Sequence, residues 1–320
     1  MRAAIVTPLG FDGIPAAVGS GVESLSACLE IPHRSLPTAE SNVDELADLD
    51  LIVVEGVPAC DPLVIELGRR ERRAQIVYWT EGRLAGLAGL APEDGLRQLD
   101  ALASCDLVAT VNERTNAYYG RLSGRAVRFW GLPYYEHVTR ALAIDTAGKN
   151  RRLVAVGCDL DASMKGVHGT LSLVRSLGLR ALLAGDEAWR RRWQDRGYEL
   201  EPMSRTTAYD AAAAYAPAYV AVQLDPRDTW GRFSLDCAAI GIPCVGSDRV
   251  QTQGVLFPGL TVDPFDVDRA HDLLARLVAD EAFHRATRAY ALDALDRFGF
   301  AATRGRIERS IREDLNLRTG

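Results

Sequence analysis

At 320 residues, 48% apolar and 25% charged, the chain has ordinary globular composition and length for two domains of about 150 residues each. A formal net charge of −6 argues against tight nonspecific nucleic-acid binding, which needs a basic face to neutralise phosphates. No run approaches the roughly 18 uncharged apolar residues of a membrane helix. The opening Met1–Pro8 is too short in its apolar stretch for a signal peptide, so the cytoplasm is the expected compartment. Cys28, Cys60, Cys105, Cys158, Cys237 and Cys244 show no metal-ligand spacing and are expected as small buried hydrophobes in a reducing environment.

Short apolar runs alternate with longer amphipathic ones, the signature of βα units and parallel sheets. In the first half, strands are expected at 3–7, 51–54, 75–79, 107–110 and 127–130. Helices are expected at 62–73, 92–104 and 112–122, the last capped by Asn112. The pattern lapses into a polar, Gly-containing stretch over 142–152 and then restarts. Strands follow at 153–157, 180–184, 198–201, 218–223 and 243–246, and helices at 167–177, 188–195, 208–214 and 231–240. Helices dominate from 267 to the end. Two doubly wound α/β domains joined near residue 148 are the economical arrangement, with ligands at strand carboxyl ends and in a cleft between the domains.

The most informative segment is Asp225-Pro226-Arg227-Asp228-Thr229-Trp230-Gly231-Arg232-Phe233-Ser234-Leu235-Asp236, closed by Gly241 and Pro243. A strand ends, a polar loop follows, and a helix begins near Arg232. Free N–H groups and the positive dipole end at such a start suit a diphosphate. Carboxylates beside it suit hydroxyl groups of ribose and sugar, which donate hydrogen bonds. Solvated surface acids are the plainer alternative, disfavoured for Asp236 by its apolar neighbours Leu235, Cys237, Ala238 and Ala239.

This segment resembles the donor-binding element of retaining GT-B glycosyltransferases of the family 4-like, "group 1" type. Asp228 falls on the family's first glutamate, Trp230 on its phenylalanine, Gly231 on its second glycine and Asp236 on its second glutamate. Gly241 and Pro243 match outright. The resemblance implies that Asp228 contacts donor-sugar hydroxyls, Gly231 and its neighbours offer backbone N–H groups, and Asp236 binds ribose. Upstream, Val154-Ala155-Val156-Gly157-Cys158 through Lys165-Gly166 resembles the family's strand, Gly-Arg, loop and Lys-Gly. By that resemblance Lys165 neutralises the donor diphosphate, as a leaving nucleoside diphosphate requires of some cation. Cys158 stands where the family has arginine. Arg232 is the expected substitute cation, with Arg205 and Arg227 as fallbacks. Met203 and Ser204 fall where backbone groups hold the base. The convincing resemblance covers about 150–300.

The first half is diverged, and there the architecture implies acceptor binding. Gly10, Phe11, Gly13 and Trp79 are the acceptor-side loop candidates, and Glu81 is the candidate to orient or deprotonate the acceptor hydroxyl. Tyr78 and Trp79 could instead be core. Gly19-Ser20-Gly21 lacks the immediately preceding strand and final glycine of a dinucleotide fingerprint. The five histidines form no triad; only His168, just after Lys165, falls near the donor segment. The run 69–73 suits a solvated helix end.

The expectation is an α/β chain of two Rossmann-like doubly wound domains (1–147 acceptor-side, 148–300 donor-side), with a terminal helix at 301–320 crossing back to the first. The expected activity is a cytoplasmic, hexosyltransferase-like glycosyltransferase using a nucleoside-diphosphate sugar, retaining and metal-independent, with no cofactor. Lys165, Asp228, Arg232 and Glu81 are its candidate catalytic groups. A non-catalytic nucleotide-sugar-binding or accessory protein and a GT-B-fold sugar-nucleotide epimerase are the competitors.

Overall fold

The computed structural model describes residues 1–8, 21–36, 43–80, 90–158, 165–203 and 207–317. Gly10, Phe11, Gly13, Glu81, Ser204 and Arg205 lie outside the described residues. The chain divides into two compact units. One comprises Met1–Tyr134, Asp228–Trp230 and the residues from Phe298 on; the other comprises Tyr135–Arg227 and Gly231–Arg297.

The first unit holds a six-stranded parallel sheet ordered β2-β1-β3-β4-β5-β6. Its strands are β1 (Ala3–Pro8), β2 (His33–Leu36), β3 (Leu51–Glu55), β4 (Gln75–Thr80), β5 (Leu107–Thr110) and β6 (Ala126–Phe129). Around it lie α1 (Gly21–Leu29), α2 (Val43–Ala47), α3 (Asp61–Arg69), α4 (Pro92–Ser104) and α5 (Asn116–Ser123). All five residues of β3 are buried, as expected of a β-branched run covered on both faces. The sequence signal missed β2 and α1. The strand reads His-Arg-Ser-Leu and sits at the sheet edge, where one unpaired side tolerates polar residues.

One buried polar chain crosses the core of this unit. Tyr78 Oη donates to Asp61 Oδ1 at 2.9 Å, and Gln98 Nε2 donates to Tyr78 Oη at 3.2 Å. Burial pushes the Asp61 carboxyl up to about 6. The terminal helix belongs here too. Trp130 Nε1 donates to Ser310 Oγ at 3.0 Å, Arg306 Nε donates to the Trp130 carbonyl at 2.9 Å, and Arg128 forks onto Asp314 at 2.8 and 2.6 Å. That helix, Phe300–Leu315, becomes α14 once those of the second unit are counted.

The second unit holds another six-stranded parallel sheet, ordered β12-β11-β10-β7-β8-β9. Its strands are β7 (Asn150–Val156), β8 (Arg180–Leu183), β9 (Leu200–Pro202), β10 (Ala218–Gln223), β11 (Cys244–Ser247) and β12 (Thr261–Val262). Its helices are α6 (Glu136–Arg140), α7 (Val167–Ser176), α8 (Glu187–Gln194), α9 (Ala208–Tyr215), α10 (Arg232–Ala239), α11 (Gln251–Leu256), α12 (Val267–Ala279) and α13 (Glu281–Ala294). The division between units falls between Tyr134 and Tyr135, upstream of the polar stretch at 142–152, because α6 packs on α9 and α10.

Lysine 149 explains one of only two departures from arginine in the chain. Its ammonium is buried and donates to the carbonyls of Ala216 and Ile240 at 2.8 and 3.2 Å. These carbonyls are at the C-caps of α9 and α10, so one compact cation satisfies the negative ends of two helices. Burial, then the neighbouring Arg288, pushes its pKa down to about 8. All six cysteines are buried free thiols. No described helix is long and apolar enough to cross a membrane.

Candidate functional site

In the second sheet the chain starts at β7, moves to β8 and β9 on one side, and then returns to place β10, β11 and β12 on the other. The strand order therefore reverses between β7 and β10. In open α/β sheets ligands bind at the carboxyl ends beside such a reversal. Two helices start near these ends, α7 after β7 and α10 after β10.

Gly157 follows β7 directly. A Cβ there would sit 2.6 Å from Phe233 Cδ1 and 2.9 Å from Cβ and Cγ of Gln223, so only glycine fits beneath the first turn of α10. Gly166 caps α7 in the left-handed region at φ 70°. Its missing Cβ would lie 2.2 Å from the Leu224 carbonyl oxygen, so the start of α7 presses directly on the chain leaving β10. Lys165 is half-buried immediately before it. The Lys-Gly pair is thus a packing requirement at Gly166 and a cation at the helix start at Lys165.

Gly231 caps α10 at φ 96°. A Cβ there would meet Val250 Cγ1 at 2.1 Å and Thr252 Oγ1 at 2.5 Å, while Thr252 Oγ1 donates to the Gly231 carbonyl at 2.7 Å. Gln253 ties the same helix down: Ser234 Oγ donates to its Oε1 at 3.0 Å, and its Nε2 donates to the Cys244 carbonyl at 2.8 Å. Thr252 and Gln253, both buried in α11, brace α10.

Two candidate roles meet each other. Arg232 Nε lies 3.5 Å from Asp236 Oδ1, one helical turn along α10. Arg232 is about a third exposed and Asp236 is buried. The fallback cation Arg227 is committed elsewhere, because Nε and Nη2 both donate to the buried Asp225 carboxylate at 2.8 and 2.7 Å. That contact draws the Arg227 pKa upward, by hydrogen bonding to Asp225 against its burial. Met203, expected among backbone groups holding a base, spends its N–H on the Leu183 carbonyl at 3.3 Å.

The remaining motif residues group with the first unit. Asp228 Oδ1 lies 3.5 Å from Arg114 Nε, a partner the sequence did not suggest. The Thr229 carbonyl accepts from Asn112 Nδ2 at 3.0 Å. Trp230, expected among donor contacts, is 5% exposed and packs its ring against Phe129 and Phe298, with centroids 6.0 and 5.4 Å away. Its ring also fills the space over Gly131, φ 69°. Trp79, expected in a loop, lies inside β4 and is fully enclosed, as is Tyr78; both are core. His168 is exposed on α7 and contacts Trp193 with centroids 5.3 Å apart.

No His, Cys, Asp and Glu group able to hold a metal occurs among the described residues. The sequence does carry an Asp159-Leu160-Asp161 triplet soon after β7, outside the described residues.

No protein-family model matches the sequence, and no curated protein is similar to it in sequence. Solved structures share its fold. Sucrose-phosphate synthase from Thermosynechococcus elongatus superposes with a TM-score of 0.76 at 16% identity, over 98% of this chain and 100% of that one. HepE from Anabaena, in complex with UDP, gives 0.72 at 11% identity over 97% and 99%. A trehalose-6-phosphate protein from E. coli, bound with UDP-2-fluoro glucose, gives 0.69 at 14% over 91% and 78%. The fold is that of the GT-B glycosyltransferases, two six-stranded parallel α/β sheets with a terminal helix returned to the first unit.

Proposed function

We propose that this chain is a glycosyltransferase that takes a sugar from a nucleoside-diphosphate sugar and passes it, with retention of configuration, to an acceptor hydroxyl. The observation that carries the reading is the strand reversal at β7 and β10, with the N-termini of α7 and α10 at the same sheet edge. Helix starts present unpaired N–H groups and positive dipole ends, the arrangement that receives a diphosphate. Structures of the same fold were solved with UDP and with a UDP-sugar analogue.

In this reading Lys165 meets the negative charge that develops on the leaving diphosphate, where a cation in a water-poor site stabilises the transition state most. Gly157 and Gly166 let the starts of α10 and α7 pack close on the strand ends, since a Cβ on either would strike Phe233 and Gln223 or the Leu224 carbonyl. Asp236 accepts from ribose hydroxyls and is held in place by Arg232. Asp228, steadied by Arg114, accepts from hydroxyls of the transferred sugar. The protein cations carry the diphosphate without a divalent metal, and the acceptor hydroxyl is bound by the first unit.

The test is thermal stabilisation of the full chain by a panel of nucleotides and nucleotide sugars, followed by slow donor hydrolysis with and without EDTA. Stabilisation by one nucleoside diphosphate and its sugar, with hydrolysis indifferent to EDTA, is expected. Hydrolysis abolished by EDTA and restored by Mn²⁺ refutes the metal-free mechanism. No stabilisation by any ligand refutes the whole reading. A non-catalytic binding protein is favoured by two observations, Cys158 in place of arginine and the commitment of Arg227 to Asp225. It predicts binding without turnover. Conversion of the donor sugar with no acceptor present would identify an epimerase.

A further inference from the structure

β10 ends in a residue that neither the motif nor the fold requires to be polar. Gln223 closes an otherwise Ala, Val and Tyr strand and is 8% exposed. Its register partner on β11 is Gly246, and the pairing of Val222 with Val156 puts Gly157 beside it on the other side. Glutamine therefore stands between two glycines across three adjacent strand ends, on the sheet face covered by α10. Its stem lies over Gly157, next to the Phe233 ring from the first turn of α10.

The amide has a defined orientation. Nε2 donates to the Gly157 carbonyl at 3.5 Å, and turning the amide over would set two oxygens against each other. Oε1 is left buried, with no hydrogen-bond partner in the protein. A buried acceptor without a partner is destabilising, and buried polar atoms in native proteins are rarely left so. This orphaned oxygen sits at the strand reversal between the two helix starts.

We propose that Gln223 is a donor-site residue whose amide oxygen accepts a hydrogen bond from a hydroxyl of the transferred sugar. This rests on the glycosyltransferase reading above and adds to it. A carbonyl oxygen repels phosphate oxygens and attracts O–H donors. The group it meets beside a diphosphate is therefore a hydroxyl. The nucleotide's own hydroxyls fall to Asp236, and the sugar is the other hydroxyl-bearing part of the donor. Gln223 thus selects donors with a hydroxyl at the matching ring position and discriminates against the deoxy analogue, whose binding would leave Oε1 unpaired.

The experiment compares wild type with Gln223→Met, which keeps length and apolar volume, and measures affinity for UDP and for each UDP-sugar that stabilises the wild-type chain. Other nucleotides replace UDP if the panel selects them. Loss of one such hydrogen bond is expected to weaken the sugar nucleotide about three- to tenfold and leave the nucleotide unchanged. If the Met variant does not fold, Gln223→Asn withdraws the oxygen by one methylene and is expected to give the same selective loss. Unchanged affinity for both ligands overturns the proposal. Equal weakening of both moves the contact to the nucleotide and overturns the sugar assignment. If wild type binds no nucleotide or nucleotide sugar, the glycosyltransferase reading falls and takes this inference with it.

Discussion

Gly166 and Gly169 lie three residues apart at the start of α7, and the structure assigns their alanine substitutions opposite signs. At Gly166, φ is 70° and the added Cβ would be 2.2 Å from the Leu224 carbonyl oxygen. That is roughly 1 Å inside van der Waals contact, against backbone that cannot rotate away. Left-handed backbone costs a non-glycine residue about 1–2 kcal/mol, and overpacking adds about 1–3 kcal/mol. Gly166→Ala is therefore expected to lose about 2–5 kcal/mol. At Gly169, inside the helix, nothing lies within 4 Å of the added carbon. Gly169→Ala should gain about 0.5–1 kcal/mol by restricting the unfolded chain. Guanidinium denaturation followed by circular dichroism reads both. The reasoning fails if Gly166→Ala stays within about 0.5 kcal/mol of wild type, the ordinary scatter of inert substitutions, or if Gly169→Ala loses as much.

Removing Arg227 leaves the Asp225 carboxylate buried without its bidentate partner, so Arg227→Met is expected to cost about 3–5 kcal/mol. The double variant Asp225→Leu/Arg227→Met should recover most of that, and a double variant as unstable as the single one would contradict it. His284 is buried, with Nε2 3.0 Å from the Tyr219 carbonyl and its ring stacked 4.0 Å from the Tyr219 ring. Burial lowers its pKa, opposed by the Tyr219 contact and aided by Arg288, Lys149 and Arg151. Below pH 6.5, its ordinary value, the unfolded chain takes up a proton that the folded chain resists. The stability His284 contributes is full above pH 6.5 and falls as pH drops toward its folded value, by up to about 1.4 kcal/mol per pH unit. From pH 7.5 to 5.5, His284→Phe should lose less stability than wild type, against the opposite drift from the raised Asp61 carboxyl that both chains share; an unchanged pH dependence would refute the assignment.

Much of the second unit could be read from the chain. β10 and its bounds follow from an apolar run of five closed by a glutamine, α10 from its Gly231 start and Gly241 stop, and α7 from Lys165-Gly166. These signals are local: a left-handed glycine, a helix start and a buried strand each write themselves into a few adjacent residues. The same holds for α4 and β5, whose bounds match the expected ones. β2 was illegible because its polarity suits an edge, and an edge is a property of the finished sheet.

Which side chains meet was not local, and only the tertiary structure decided it. Arg227 looked like a spare cation until Asp225 took it, and Arg232 and Asp236 were given separate roles until one helical turn brought them together. Trp230 looked like a ligand contact and is packed between Phe129 and Phe298, residues about a hundred and seventy positions apart in sequence. Gln223 carried no signal beyond a polar residue at a strand end; the folded chain sets its stem over Gly157 beside Phe233 and leaves its Oε1 buried without a protein partner. Periodicity and glycine punctuation determine where the chain turns, because backbone sterics act between neighbours. Partnership depends on which strands reverse and which helices return, and that is set by burying one shared core.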